Sequence, residues 1–193
     1  MKNIKVTLDK KSQILLKSLI GTKLLFLKHQ SLWADSKTSP RVGVLTDKGI
    51  LGIDIKEGKV GSLFGPKMEF PQLRFLSLQR EEELDENREI PDFRRFPVKE
   101  EIQDILLVNE TVLTKEGFLL ESTEGIVLKT PAIEYAFYKM KPTQGTDIEI
   151  LADSDVLPLL RPLEKRWLGL PKENFASSKR ELFSLSTGEE KSL

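Results

Sequence analysis

From Ile105 to Leu151 short runs of strand-forming residues alternate with turn signals, and that rhythm restricts the fold more than any other feature of the sequence. The runs are Ile105–Val108, Thr111–Thr114, Phe118–Glu121, Ile126–Thr130 and Ile133–Met140, with Asp147–Leu151 as a further strand. Asn109-Glu110, Lys115-Glu116-Gly117 and Thr123-Glu124-Gly125 punctuate them. Strands so closely spaced leave no room for the crossover that a parallel pair requires, so they must pair antiparallel with their neighbours. The first half has the same character. Ile4–Leu8 alternates with period two, and Leu24–Leu27 is a compact apolar run. Arg41–Thr46 and Ile50–Ile55 form a hairpin about Asp47-Lys48-Gly49, read as a three-residue loop, with Lys56-Glu57-Gly58-Lys59 as the next turn. Leu73–Leu78 adds another strand.

Two helices complete the expectation. Asp9 can cap a helix reaching Ile20, with Gly21 as a left-handed stop. Leu15 and Leu19, and Leu16 and Ile20, would then face the core, with Lys10, Lys11 and Lys17 in water. Asp153-Ser154-Asp155 offers caps for a second helix over Val156–Leu168, kinked or split at Pro162. The fold class expected is therefore α+β, β-dominated, with mostly antiparallel meander sheets and a helix near each terminus. Residues 1–170 read as one β-rich domain, divisible into units 1–79 and 98–170 joined by an acidic excursion over 80–97. Residues 171–193 read as a polar, partly disordered tail.

One internal echo bears on the two-unit reading. Val44-Leu45-Thr46-Asp47-Lys48-Gly49-Ile50-Leu51 and Val112-Leu113-Thr114-Lys115-Glu116-Gly117-Phe118-Leu119 agree at five of eight positions. Glu57-Gly58 and Glu124-Gly125 follow them. Either two hairpin units are duplicated, or hairpins simply draw on few residue types.

Composition removes several function classes. With no cysteine there is no disulfide scaffold, cysteine nucleophile, cysteine zinc site or iron–sulfur cluster. A single histidine, His29, excludes multi-histidine metal sites. Thirty basic residues balance thirty acidic ones, so no overall charge draws the chain to nucleic acid or an anionic membrane. No apolar run has the length of a signal peptide or a membrane span, which makes the cytoplasm the default compartment. No glycine-rich phosphate loop, nucleophile elbow or calcium loop is present, and neither a cofactor nor a metal is implied.

The remaining candidates are surface features. Between Arg80 and Asp104 ten acids face five bases, and Glu81, Glu82, Glu83, Asp85 and Glu86 lead that stretch as an acidic recognition segment. Lys28, His29 and Trp33 form a basic–aromatic group in the lysine-rich first forty residues, and His29 near Asp35 could serve as a base. Phosphate contact with base stacking would also suit that group, although the balanced net charge disfavours nucleic acid. Arg161, Lys165, Arg166 and Trp167 make a second basic–aromatic patch. The carboxylate pairs Glu121 with Glu124, Asp147 with Glu149, and Asp153 with Asp155 could hold magnesium or divide acid and base roles.

Lys23–Ile55, through Arg41-Val42-Gly43-Val44-Leu45 and Gly49-Ile50-Leu51-Gly52-Ile53-Asp54, resembles the small N-terminal β-domain of fumarylacetoacetate-hydrolase-like enzymes. The resemblance implies a hairpin-built β-domain there. In that family a metal-binding domain with a carboxylate triad follows, but its ligand motif has no counterpart at Glu121, Glu124 or another acid, so no active site is carried over. The reading that results is a non-catalytic intracellular binding or regulatory protein. It would act through opposed charged patches on a protein partner, or on a second copy of itself. The alternatives are a carboxylate enzyme, with or without magnesium, and a weak nucleic-acid binder.

Overall fold

The computed structural model describes residues 2–30, 38–61, 68–84, 93–140, 147–161 and 175–193. The first half holds β1 (Lys2–Val6), α1 (Lys10–Lys17), β2 (Lys23–Gln30), β3 (Thr38–Ser39), β4 (Arg41–Thr46), β5 (Gly49–Gly61) and β6 (Met68–Leu78). A 3-10 turn at Glu81–Leu84 precedes β7 (Phe93–Glu101), β8 (Asp104–Thr114), β9 (Phe118–Lys129) and β10 (Glu134–Lys139). β11 (Ile148–Asp153), a 3-10 turn at Leu157–Leu159, β12 (Phe175–Ser184) and β13 (Glu190–Ser192) follow.

These strands make two sheets. The smaller runs β6-β5-β4-β2-β7 and is antiparallel throughout. The larger runs β13-β12-β8-β9-β10-β11-β3, and β1 lies parallel to the first half of β9. One face of each sheet contributes to a shared core: Leu24, Leu27, Val42, Val44, Leu51 and Ile53 from the smaller, with Ile105, Leu107, Ile126, Leu128 and Phe137 from the larger. The opposite face of the larger sheet buries Leu106, Val108, Val127, Ala136 and Tyr138 under Val156 and Leu160. Burial on both faces explains why these strands read as unbroken apolar runs and not as alternating ones.

α1 starts where the sequence placed it but ends at Lys17, short of the expected Ile20. Asp9 accepts from Ser12 N at 2.7 Å and Leu16 is wholly buried, but the C-cap is Ser18 in the right-handed region, and Gly21, with φ 78, lies three residues beyond it and is not the stop. The expected C-terminal helix is a correction: among the described residues only one α-helix exists, near the N-terminus. Pro158 sits in a single 3-10 turn that ends when Leu160 becomes extended, and the residue before a proline avoids the helical region, so Arg161 ahead of Pro162 could not have continued it. Residues 162–168 lie outside the described residues. The stretch expected as a polar tail carries β12 from Phe175, whose Leu182 and Arg180 point inward opposite Val108 and Glu110.

Three expected turns are interruptions inside long strands. β5 continues through Glu57-Gly58 with a register shift between Lys56 and Lys59. β8 and β9 continue through Asn109-Glu110 and Thr123-Glu124, with Glu124 the extra residue at the shift. The hairpin at Asp47-Lys48 also has two loop residues, not three, because Thr46 pairs with Gly49.

The echo in sequence reappears as architecture. β4-β5-β6 and β8-β9-β10 are both three-stranded meanders, one in each sheet. Each second strand bulges at its Glu-Gly pair, and each glycine lies against the carbonyl of a phenylalanine on the third strand: Gly58 at Phe70, Gly125 at Phe137. Only glycine permits that approach.

Candidate functional site

Of the acidic and basic–aromatic residues singled out in the sequence, Glu81 and Lys28 meet on the smaller sheet. The 3-10 turn lies over β4, where Leu84 is wholly buried against Gly43. Arg41 holds it there, donating from Nη1 to the carbonyls of Glu83 and Leu84 at 3.1 and 3.2 Å. Glu81 then reaches Arg95 at 2.5 Å and Lys28 at 3.9 Å. Glu83 accepts from the backbone N–H groups of Gln79 and Arg80. Glu82 alone of the three is exposed. Asp85, Glu86 and Trp33 lie outside the described residues.

Lys28 is largely buried, so its ammonium is committed to the fold and not presented to a phosphate backbone. His29 stacks flat on Phe96, with centroids 4.4 Å apart and planes inclined by 4°. Its Nδ1 is buried without a hydrogen-bond partner. Burial pushes the imidazole pKa below its ordinary value, which favours the neutral ring on the aromatic face. The native state therefore binds fewer protons here than the unfolded chain. The stabilisation is complete above the ordinary histidine pKa of about 6.5 and falls as pH drops through the lower folded value. Urea midpoints measured at pH 7.5 and at pH 5 should differ by less in His29→Phe than in the wild type; an equal difference would refute this assignment.

Around this stack β7 is the terminal strand of its sheet, paired only with β2 among the described residues. Its outer residues Arg94, Arg95, Phe96 and Lys99 are exposed, and Phe96 retains 41% of its surface. Lys99 adopts φ 65 at the irregularity where β7 shifts register on β2. A bulge and Pro97 make this edge a poor template for indiscriminate strand pairing.

The carboxylate pairs do not converge. Glu121 pairs with Lys5, Glu149 with Arg161, and Asp155 accepts from Leu157 N. Among the described residues no three potential metal ligands gather.

What the sequence reading missed is a set of interior charges. Lys139 and Glu124 are wholly buried 2.7 Å apart, and Lys139 also donates to the Pro71 carbonyl at 2.9 Å and to Ser122 Oγ at 3.2 Å. Ser122 in turn donates to Glu124. Glu110 receives Arg180 at 2.8 Å and the hydroxyl of Tyr138. Arg180 continues to the Arg161 carbonyl at 2.7 Å. The only hint in the sequence is position: an acid at a bulge within a long strand looks like turn punctuation. Both networks are matched in charge and join distant strands, which suits structural service.

No family model, curated protein or solved structure matches this chain. The likeness of Lys23–Ile55 to the hydrolase N-terminal domain thus gains no support from a family match. Among the described residues no helix is long and apolar enough to cross a membrane.

Proposed function

We propose that this chain is a non-catalytic binding protein that docks a protein partner through the outer rim of β7. The observation that carries the reading is the His29–Phe96 stack, in which half-buried His29 of β2 backs exposed Phe96 on the terminal strand β7, with Arg94 and Arg95 exposed beside it. Exposed aromatic and arginine side chains side by side are the residue types that dominate interface energies. Arg94 supplies the charge that selects a partner with an acidic surface, since Arg95 is paired with Glu81, and exposed Glu82 on the same 3-10 turn as Glu81 tunes the approach through repulsion. The cysteine-free composition supports an intracellular setting for that encounter.

The test uses the full chain as bait, with Phe96→Ser and Arg94→Glu as variants. Neither side chain contributes to the shared core, so both should fold. A partner retained by the wild type should be lost from both variants and gained more strongly by Glu82→Lys. If every recovered protein is common to all baits, the proposal fails.

A further inference from the structure

At the opposite end of the smaller sheet, β6 borders a cleft of about 470 Å³, shared with the first turn of α1 and with Lys56 of β5. This volume lies in the range of small-molecule sites. Its charge is one-sided. Lys11, Lys56 and Arg74 line it against a single carboxylate, Asp9. Asp9 is already engaged as the cap of α1, and its bonding to Ser12, followed by the fields of Lys56 and Lys11, holds its carboxyl below the usual range.

Arg74 is held in a fixed orientation. Nε and Nη2 donate to the two oxygens of Asp54 at 2.7 and 2.6 Å, and Arg41 grips Asp54 from β4 at 3.0 Å. Burial pushes the Asp54 carboxyl up, but Arg74 and then Arg41 outweigh it and keep the group ionised below its ordinary pKa. The row Arg41–Asp54–Arg74 therefore carries one surplus positive charge across three strands. Arg74 Nη1 donates to no acceptor among the described residues. A guanidinium fixed on one side with a donor left over is pre-organised for an anion, since little rotamer entropy remains to be lost on binding. The apolar part of the lining that remains accessible is half-buried Leu15 and Leu76, with Leu73 and Phe75 packed into the shared core behind it.

We propose that this cleft binds a small organic anion. A phosphate or carboxylate head is received by Lys11, Lys56 and the outer nitrogen of Arg74, and an apolar body lies against Leu15 and Leu76. The limited volume suits a single ligand molecule and not a polymer. The site is independent of the partner surface on β7, because the two lie on opposite edges of one sheet.

Calorimetric titration of the full chain with 2-naphthyl phosphate at low salt tests this, with 2-naphthoate to distinguish the two head groups and 2-naphthol as the neutral control. Saturable binding is expected for at least one anion, weakened by added salt, with the neutral control roughly tenfold weaker. The double variant Lys11→Gln/Lys56→Gln should lose roughly tenfold in affinity with an unchanged melting temperature, since both lysines are exposed. Equal affinity for 2-naphthol, undiminished binding by the double variant, or no saturable binding of either anion would overturn the proposal. Preferential binding of single-stranded DNA through the same lysines would overturn it as well.

Discussion

A Lys139→Met variant is expected to lose about 3–5 kcal/mol of unfolding free energy, a large share of what an ordinary domain possesses. The loss arises less from the missing bond than from what stays behind. Glu124 would keep its charge in a wholly buried position, with the Ser122 hydroxyl as the remaining donor of the group described above. The Pro71 carbonyl would also lose the ammonium that now reaches it from β10. Removing both charges tells the two effects apart. Lys139→Met/Glu124→Leu should recover most of the loss, because a well-packed apolar pair can replace a buried ion pair at little cost. Urea unfolding of the two single variants and the double variant gives the coupling directly. A double variant no more stable than Lys139→Met would show that the pair's geometry, and not its charge balance, carries the stability.

Gly58→Ala should be the other severe change, costing about 3 kcal/mol or more. Its Cβ would fall on the Phe70 carbonyl and the following peptide, and backbone cannot step aside without separating β5 from β6. Gly43→Ala provides the contrast. There the new methyl meets Leu84 Cδ1 at 2.5 Å, the far end of a side chain that can rotate, so a loss of about 1–2 kcal/mol is expected. Melting temperatures should therefore rank wild type, Gly43→Ala, Gly58→Ala in descending order. The reverse order of the two variants would mean that the bulge at Gly58 yields more readily than the contact under the 3-10 turn.

The strands were legible because alternation and apolar runs report burial directly. Asp9 and Leu16 announce the start of α1 through capping chemistry and period, both local properties, whereas its end at Ser18 carries no glycine signal. Strand lengths were not legible at Glu57-Gly58 and Glu124-Gly125. A Glu-Gly pair is a good turn, and only the carbonyls of Phe70 and Phe137, twelve residues further on in each case (58 to 70, 125 to 137), convert it into a bulge. The interior charges were hidden for the same reason. Glu110 is an unremarkable surface acid until Arg180 lies against it, and nothing within its own strand says that it will. The surface group is half legible. Lys28 and His29 adjoin in the sequence, but Phe96, which makes the stack, lies in the stretch that reads as the acidic excursion over 80–97. Leu84 and Arg41 show why that excursion folds back, since an apolar side chain and two capped carbonyls suffice to anchor a charged turn.

Arg180 stands seventy positions after Glu110, the carboxylate it neutralises. Residues 23–101 contain every strand of the smaller sheet, so on a ribosome that layer can close while the rest of the polypeptide is still being made. The flank of β8 must wait for β12, and until then it offers an unsatisfied ladder with an uncompensated anion. A nascent chain halted before residue 175 would thus expose a sticky border at its second layer, which makes the closing stages of translation the interval in which a chaperone has most to shield.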